Sequence, residues 1–258
     1  MNNILEIQNI QKDYITEKEK IDRYKSKEIS SFWKIFEGKE LILVNTEMSV
    51  FYVQNTNSGR FYNAVLYTDK QDNKLKNKNC LYNEKAYNLA SQYLLDTTDI
   101  ILQSNIRTSL REVYKGYLLA HLIDAKIKPQ YVVLIVEQLL KLLIELRERG
   151  YFNANIKASN IMVNKYLNIK LVDVKNLIKK ESKGMPISAL GYAAPEMYTD
   201  YYDDRSDIYS IGVLLWELIN QKCINKISME RHIDFHSLVK PKECSAALWK
   251  IIIKSTNY

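Results

Sequence analysis

Histidine and cysteine are the side chains that most readily hold a metal or act as nucleophiles, and both are scarce in this chain. The histidines are His121, His232 and His236. His232 and His236 stand i, i+4, a spacing that could present a metal pair on a helix, but no acidic or cysteine partner lies close to them in sequence. The cysteines, Cys80, Cys223 and Cys244, are odd in number, far apart and without C-x-x-C spacing. That argues against a zinc site or a disulfide framework and for a reducing compartment. A denser set of polar residues falls between residues 150 and 212. It runs Asn153-Ala154-Asn155-Ile156-Lys157-Ala158-Ser159-Asn160, then Leu171-Val172-Asp173-Val174-Lys175, then Gly191-Tyr192-Ala193-Ala194-Pro195-Glu196, then Ser206-Asp207-Ile208-Tyr209-Ser210-Ile211-Gly212.

In this order and spacing these segments resemble the C-terminal lobe of Hanks-type Ser/Thr protein kinases. The resemblance implies an α+β, bilobal fold with a small β-rich N-lobe and a mainly helical C-lobe. It also shows what has changed. The family's catalytic loop reads H-R-D-L-K-x-x-N. The aspartate that accepts the substrate hydroxyl proton is Asn155 here, and an amide has no basic oxygen near neutral pH. In the D-F-G motif, Asp173 stands but Val174 and Lys175 replace the aromatic and the glycine. Asn153 replaces a histidine that packs in the core. Ala154 replaces an arginine that grips a phosphorylated loop, so activation through Ser182 or Ser188 is not expected. Asn160 and Asp173 match the two metal ligands, oxygen donors suited to Mg²⁺ or Mn²⁺. Lys157 matches the lysine that neutralises the transferred phosphate. For these three, residual nucleotide binding and structural carry-over both remain open.

The elements that must position these residues can be placed in order. Residues 1–38 are a charged extension, expected to be helical, either docked on the lobe by an aromatic cluster (Phe32, Trp33, Phe36) or serving as a partner-binding or regulatory helix. Residues 39–124 form the N-lobe and hinge. Strands are expected at Glu40–Val44, Val50–Gln54 and Phe61–Tyr67, with a turn over 55–59. The first hairpin, Asn45-Thr46-Glu47-Met48-Ser49-Val50, has no glycine where backbone amides must approach phosphates. The third strand puts Leu66 at the position of the phosphate-binding lysine, with Lys70 the nearest cation. Residues 80–95 match the regulatory helix αC, with Glu84 at its glutamate. Two further strands and a linker near His121–Asp124 follow over 99–123. Residues 125–258 form the C-lobe. Pro129 opens a helix to Arg149 whose apolar spacing fits the family's buried αE. Asp207 matches the αF aspartate that holds the catalytic-loop backbone. Glu196 usually pairs with an arginine late in the domain, beyond a helix expected over Ala246–Lys254, so the sequence reads either as a fragment of a longer protein or as a C-lobe truncated after that helix.

Composition closes off other classes. The chain has 258 residues, enough for one two-lobed domain, and 47% are hydrophobic. The net charge of +7 comes from dispersed lysines, which fits a solvated surface rather than a nucleic-acid or membrane patch. The start of the chain lacks the basic and apolar regions of a signal peptide. The most apolar stretch, Tyr131–Leu146, carries Glu137, Lys141 and Glu145 and is too short to span a bilayer. The expectation is a soluble, cytoplasmic pseudokinase that requires no cofactor and binds a protein partner. The alternative is a weak or atypical ATP-dependent phosphotransferase, or nucleotide switch, using Asn160 and Asp173.

Overall fold

The computed structural model describes residues 30–44, 48–67, 91–101, 107–125, 127–153, 155–172, 177–179, 191–199, 203–224 and 234–257. The N-terminal extension before Ser30, the hairpin at 45–47, Lys70, Cys80, Glu84, Ala154, Asp173, Val174, Lys175, Ser182, Ser188 and His232 lie outside the described residues. The chain divides into two compact units, one of residues 1–74 and 97–113, the other of residues 75–96 and 114–258.

The first unit is built on an antiparallel sheet in the order β1-β2-β3-β5-β4, with β1 at Phe36–Val44, β2 at Met48–Asn55, β3 at Phe61–Tyr67, β4 at Thr97–Ile101 and β5 at Arg107–Glu112. The β2–β3 turn falls where expected. Asn55 Oδ1 accepts the N–H groups of Asn57 and Ser58 at 3.0 and 2.9 Å, the turn-forming habit of a short amide side chain. A short helix α1, Ser30–Ile35, leads directly into β1. Its aromatic residues seat it on the sheet: Phe32 stacks on Phe36 at 4.7 Å between ring centroids, and Trp33 meets the ring of Phe51 edge-on at 5.3 Å. Phe32, Phe36, Phe51, Val53, Ala64, Leu66 and Leu110 form one buried cluster.

In the second unit, residues Ser91–Asp96 make a turn and a parallel bridge to Leu171 rather than the last turns of the helix expected over 80–95. Leu95 donates to Leu171 O at 2.9 Å, and Leu171 N–H returns to Tyr93 O at 2.7 Å. Backbone groups already spent on that strand cannot also close helical turns. Residues His121–Asp124, expected near a linker, lie on a 3₁₀ helix, Leu119–Ala125.

Helix α2 runs Pro129–Glu148, with proline at its first turn, where its missing N–H costs nothing. Gly150 follows in the left-handed region, at φ +78°, and ends it. Val132, Ile135, Val136, Leu139, Leu142 and Leu146 are buried. The helix expected to match the family's buried αE is buried on one face only. Tyr131, Val133, Leu134, Leu140 and Ile144 face solvent. Helix α3, Asp204–Asn220, is buried over most of its surface, and α4, Ala246–Ser255, packs on it. Small strands complete the unit: β6 (Tyr117–Leu118), β8 (Ile161–Val163) and β9 (Ile169–Leu171) form one sheet, and β7 (Tyr151–Phe152) pairs with β10 (Ile178–Lys179). Among the described residues no helix is long and apolar enough to cross a membrane.

Candidate functional site

The anchor of the site is the start of α3. Asp203 caps it, accepting the N–H of Arg205 at 2.8 Å, while Ser206 reaches back to the Asp203 N–H at 3.4 Å. Burial pushes the Asp203 carboxyl up, but hydrogen bonds from Arg205 outweigh this and hold it below the usual carboxylate range. One turn into the helix stands Asp207, only 2% exposed. Its Oδ2 accepts the backbone N–H of Asn153 at 2.8 Å. This is the link the sequence assigned to Asp207.

From Asn153 the loop is tied to itself. Asn153 Oδ1 accepts the N–H of Asn155 at 3.1 Å. Asn160 Nδ2 donates to Asn155 O at 3.0 Å, and Asn160 N–H donates to Lys157 O at 3.0 Å, closing the 3₁₀ turn Ala158–Asn160. Asn160 O accepts from Val172 at 2.9 Å. Asn155 and Asn160 are 6% and 8% exposed, and Lys157 is half-buried between them in sequence. The structure therefore brings Asn155, Lys157 and Asn160 onto one fixed loop. Asp173, the other oxygen donor, follows Val172 in sequence but lies outside the described residues, with Val174 and Lys175. Leu66 sits in the first unit, 6% exposed, in the cluster with Phe51 and Leu110.

The chemistry of the loop follows from its amides. With its Nδ2 committed to Asn155 O, the Asn160 side chain has a set orientation, and its carbonyl oxygen is the function left to face a ligand. Asn155 offers neither a proton acceptor of useful basicity nor a charge. The Asn153 Nδ2 group is buried without a hydrogen-bond partner among the described residues, a polar group held by its surroundings at some cost.

A second buried link escaped the sequence reading. The Tyr192 hydroxyl donates a hydrogen bond to Glu217 on α3, and the same hydroxyl accepts the N–H of Ala158 at 3.4 Å. Glu217, fully buried, also accepts the N–H of Ile224 at 2.7 Å. Burial raises the Glu217 carboxyl above its ordinary value. Burial, and then the neighbouring carboxylate, push the Tyr192 phenol far up. The available signal was a lone carboxylate inside the apolar run Val213–Ile219. Glu196, expected to wait for an arginine, accepts the Ser206 hydroxyl at 2.7 Å.

A β-sheet unit and a helical unit whose loop hangs from a buried helix aspartate define a protein of protein-kinase architecture. The family profile of the protein kinase domain matches residues 47–254. The chain belongs to the protein kinase family. Over 98 residues it is 34% identical to a putative wall-associated receptor kinase-like protein of Arabidopsis thaliana, covering 34% of this chain and 23% of the relative. Over 129 residues it is 28% identical to mitogen-activated protein kinase p38a of Drosophila melanogaster, covering 45% of this chain and 35% of the relative. The chain thus spans well under half the length of these relatives.

Proposed function

We propose that this chain is a pseudokinase, a protein-kinase fold that works as a cytoplasmic scaffold or allosteric regulator for a protein partner instead of transferring phosphate. The observation that carries this reading is Asn155. It is buried at the position of the catalytic base, and the loop around it is held by Asp207, Asn153 and Asn160. A neutral amide fixed there can orient a hydroxyl but cannot take its proton. Losing a general base costs about 10²–10⁴ in rate. Leu66 removes the phosphate-positioning cation as well, and phosphoryl transfer depends mostly on positioning and electrostatics. The ties that hold the scaffold are intact, which suits a domain kept for its surface. Free thiols at Cys223 and Cys244 fit a reducing compartment.

A second reading has its own observation. The orientation of the Asn160 amide leaves a carbonyl oxygen, a donor that Mg²⁺ or Mn²⁺ accepts. With Asp173 it would hold the metal of a bound nucleotide, and Lys157 would face its phosphates. The cation would neutralise phosphate charge there.

Thermal melting with ATP or ADP, with and without Mg²⁺ or Mn²⁺, separates the two, since a ligand of the folded state raises the melting temperature by mass action. Unchanged melting at millimolar nucleotide is the outcome expected of a pure scaffold. A metal-dependent rise abolished by Asp173→Ala makes the chain a nucleotide-binding switch. Phosphate transfer that scales with protein and disappears in Asp173→Ala would sink the pseudokinase reading.

A further inference from the structure

Helix α2 buries one face and leaves a second face, with apolar residues set among charged ones, in water. Along that face run Gln130, Leu134, Glu137, Lys141, Ile144 and Glu148, all exposed, at the alternating four- and three-residue spacing that keeps residues on one stripe. Val133, Leu140 and Tyr131 flank it, and the five large apolar residues of this face are each between 38 and 57% exposed. Such a concentration of exposed apolar side chains on one helix marks an interaction surface.

The stripe is evenly spaced about residue 139, and reversal about that point sets opposite charges and apolar residues against each other. Reversed about that point, Gln130 exchanges with Glu148, Leu134 with Ile144, and Glu137 with Lys141. At its centre Glu137 and Lys141 form an ion pair at 2.7 Å within the helix. A surface with this symmetry is complementary to itself under a two-fold axis, the isologous geometry of most homodimers. We infer that the occupant is a second copy of this chain, with α2 packed antiparallel on α2 of the other copy. Glu137 of each copy then faces Lys141 of the other, and Leu134 of each packs on Ile144 of the other. Leu140 lies on one edge of this face and Gln138 on the other, beside the turn Asn164–Asn168. That turn is fastened to α2 by Gln138 Nε2, which donates to Leu167 O at 2.7 Å, and it carries Tyr166, 70% exposed. The pattern also sets direction. A parallel pairing in register would put Glu137 against Glu137 and Lys141 against Lys141, and like charges across an interface are selected against.

This interface is independent of the catalytic question, and nucleotide or transfer assays do not read it. Sedimentation velocity of the full 258-residue chain across micromolar concentrations does. The wild type should shift from monomer to dimer as concentration rises. Glu137→Lys alone and Lys141→Glu alone each set like charges across the axis and should weaken association by about tenfold or more. The double variant, Glu137→Lys with Lys141→Glu, restores the complementary pattern and should recover dimerisation. Ile144→Asp, at an exposed position, should leave the monomer folded by circular dichroism and abolish the dimer. A wild type that stays monomeric throughout overturns the inference and leaves the face to a different protein. So does a dimer indifferent to the single reversals or to Ile144→Asp.

Discussion

Asp207 and Asn153 meet at 2.8 Å, carboxylate to backbone N–H, across 54 positions of sequence. Both are almost fully buried. The bond fastens the start of the catalytic-type loop to the most deeply buried helix of its unit. Replacing Asp207 by alanine strands a buried N–H, at a cost of roughly 1–3 kcal/mol. Asparagine keeps an acceptor oxygen in the same place and should lose less. Urea denaturation of the two variants beside the wild type tests this ordering, and equal midpoints for all three would refute it.

Tyr192 and Glu217 give stability a pH dependence with a definite sign. Burial raises the Glu217 carboxyl above its ordinary 4.5, despite the donors that favour its charge. The unfolded chain therefore releases this proton at lower pH than the folded one. The contribution is fully present below about 4.5 and is lost as pH rises through the raised value. Burial and the adjacent carboxylate raise the Tyr192 phenol above its ordinary 10.0, so a second loss begins above that pH. Glu217→Gln removes the first effect. The stability difference, wild type minus Glu217→Gln, should fall between pH 4.5 and neutrality in matched urea titrations, and a flat difference would count against it. Tyr192→Phe removes a hydrogen bond from both Glu217 and the Ala158 N–H and should cost about 1–3 kcal/mol.

Gly212 lets α3 and α4 close on each other. A Cβ there would meet Thr256 Cγ2 at 2.8 Å and press into the Ser255 side chain. Gly212→Ala gains about 1 kcal/mol of helix propensity, but overpacking costs roughly 1–3 kcal/mol. The net expectation is a destabilised protein. Adding Ser255→Gly should recover part of the loss, and a double-mutant cycle by thermal unfolding measures the coupling.

Where the sequence was readable, one physical signal dominated. Pro129 and the apolar spacing after it placed α2, and the resemblance of Ser206–Gly212 to the family's αF placed α3. The link from Asp207 to the loop was legible through the resemblance of Ser206–Gly212 to the family's αF segment, whose aspartate holds that loop. Strand β1 was harder. It begins at Phe36, ahead of the expected Glu40, because irregularities between Gly38 and Glu40 and between Leu41 and Leu43 break the two-residue alternation that marks a strand. The turn at Ser91–Asp96 was hidden because its apolar residues pair with β9 and so fit a helix or a strand equally well. The exposed face of α2 was hidden too. Composition reports how apolar a helix is, whereas burial depends on what packs against each side. Glu217 was overlooked since its partner, Tyr192, lies 25 positions away and only the fold brings them together.

Asn155 and Leu66 allow a restoration experiment in which the fold predicts failure. Leu66 is 6% exposed and packs with Phe51, Ala64 and Leu110. Leu66→Lys puts an ammonium into that cluster, where it must be desolvated or lose its proton, and the lost packing alone is worth roughly 2–5 kcal/mol. Leu66→Met keeps volume and polarity and should cost less than about 1.5 kcal/mol. Asn155→Asp is milder in shape, and the loop bonds around it use the backbone of residue 155, which the substitution leaves in place. That variant should fold. It should still show no phosphate transfer from Mg-ATP to a serine or threonine peptide, because a base takes the proton of the substrate hydroxyl but does not place the phosphate, and Leu66 stands where the phosphate-positioning lysine belongs. Combining it with Leu66→Lys should add instability and no activity. Measurable transfer by Asn155→Asp alone would mean that the base was the one missing part, and that the rest of the site is competent.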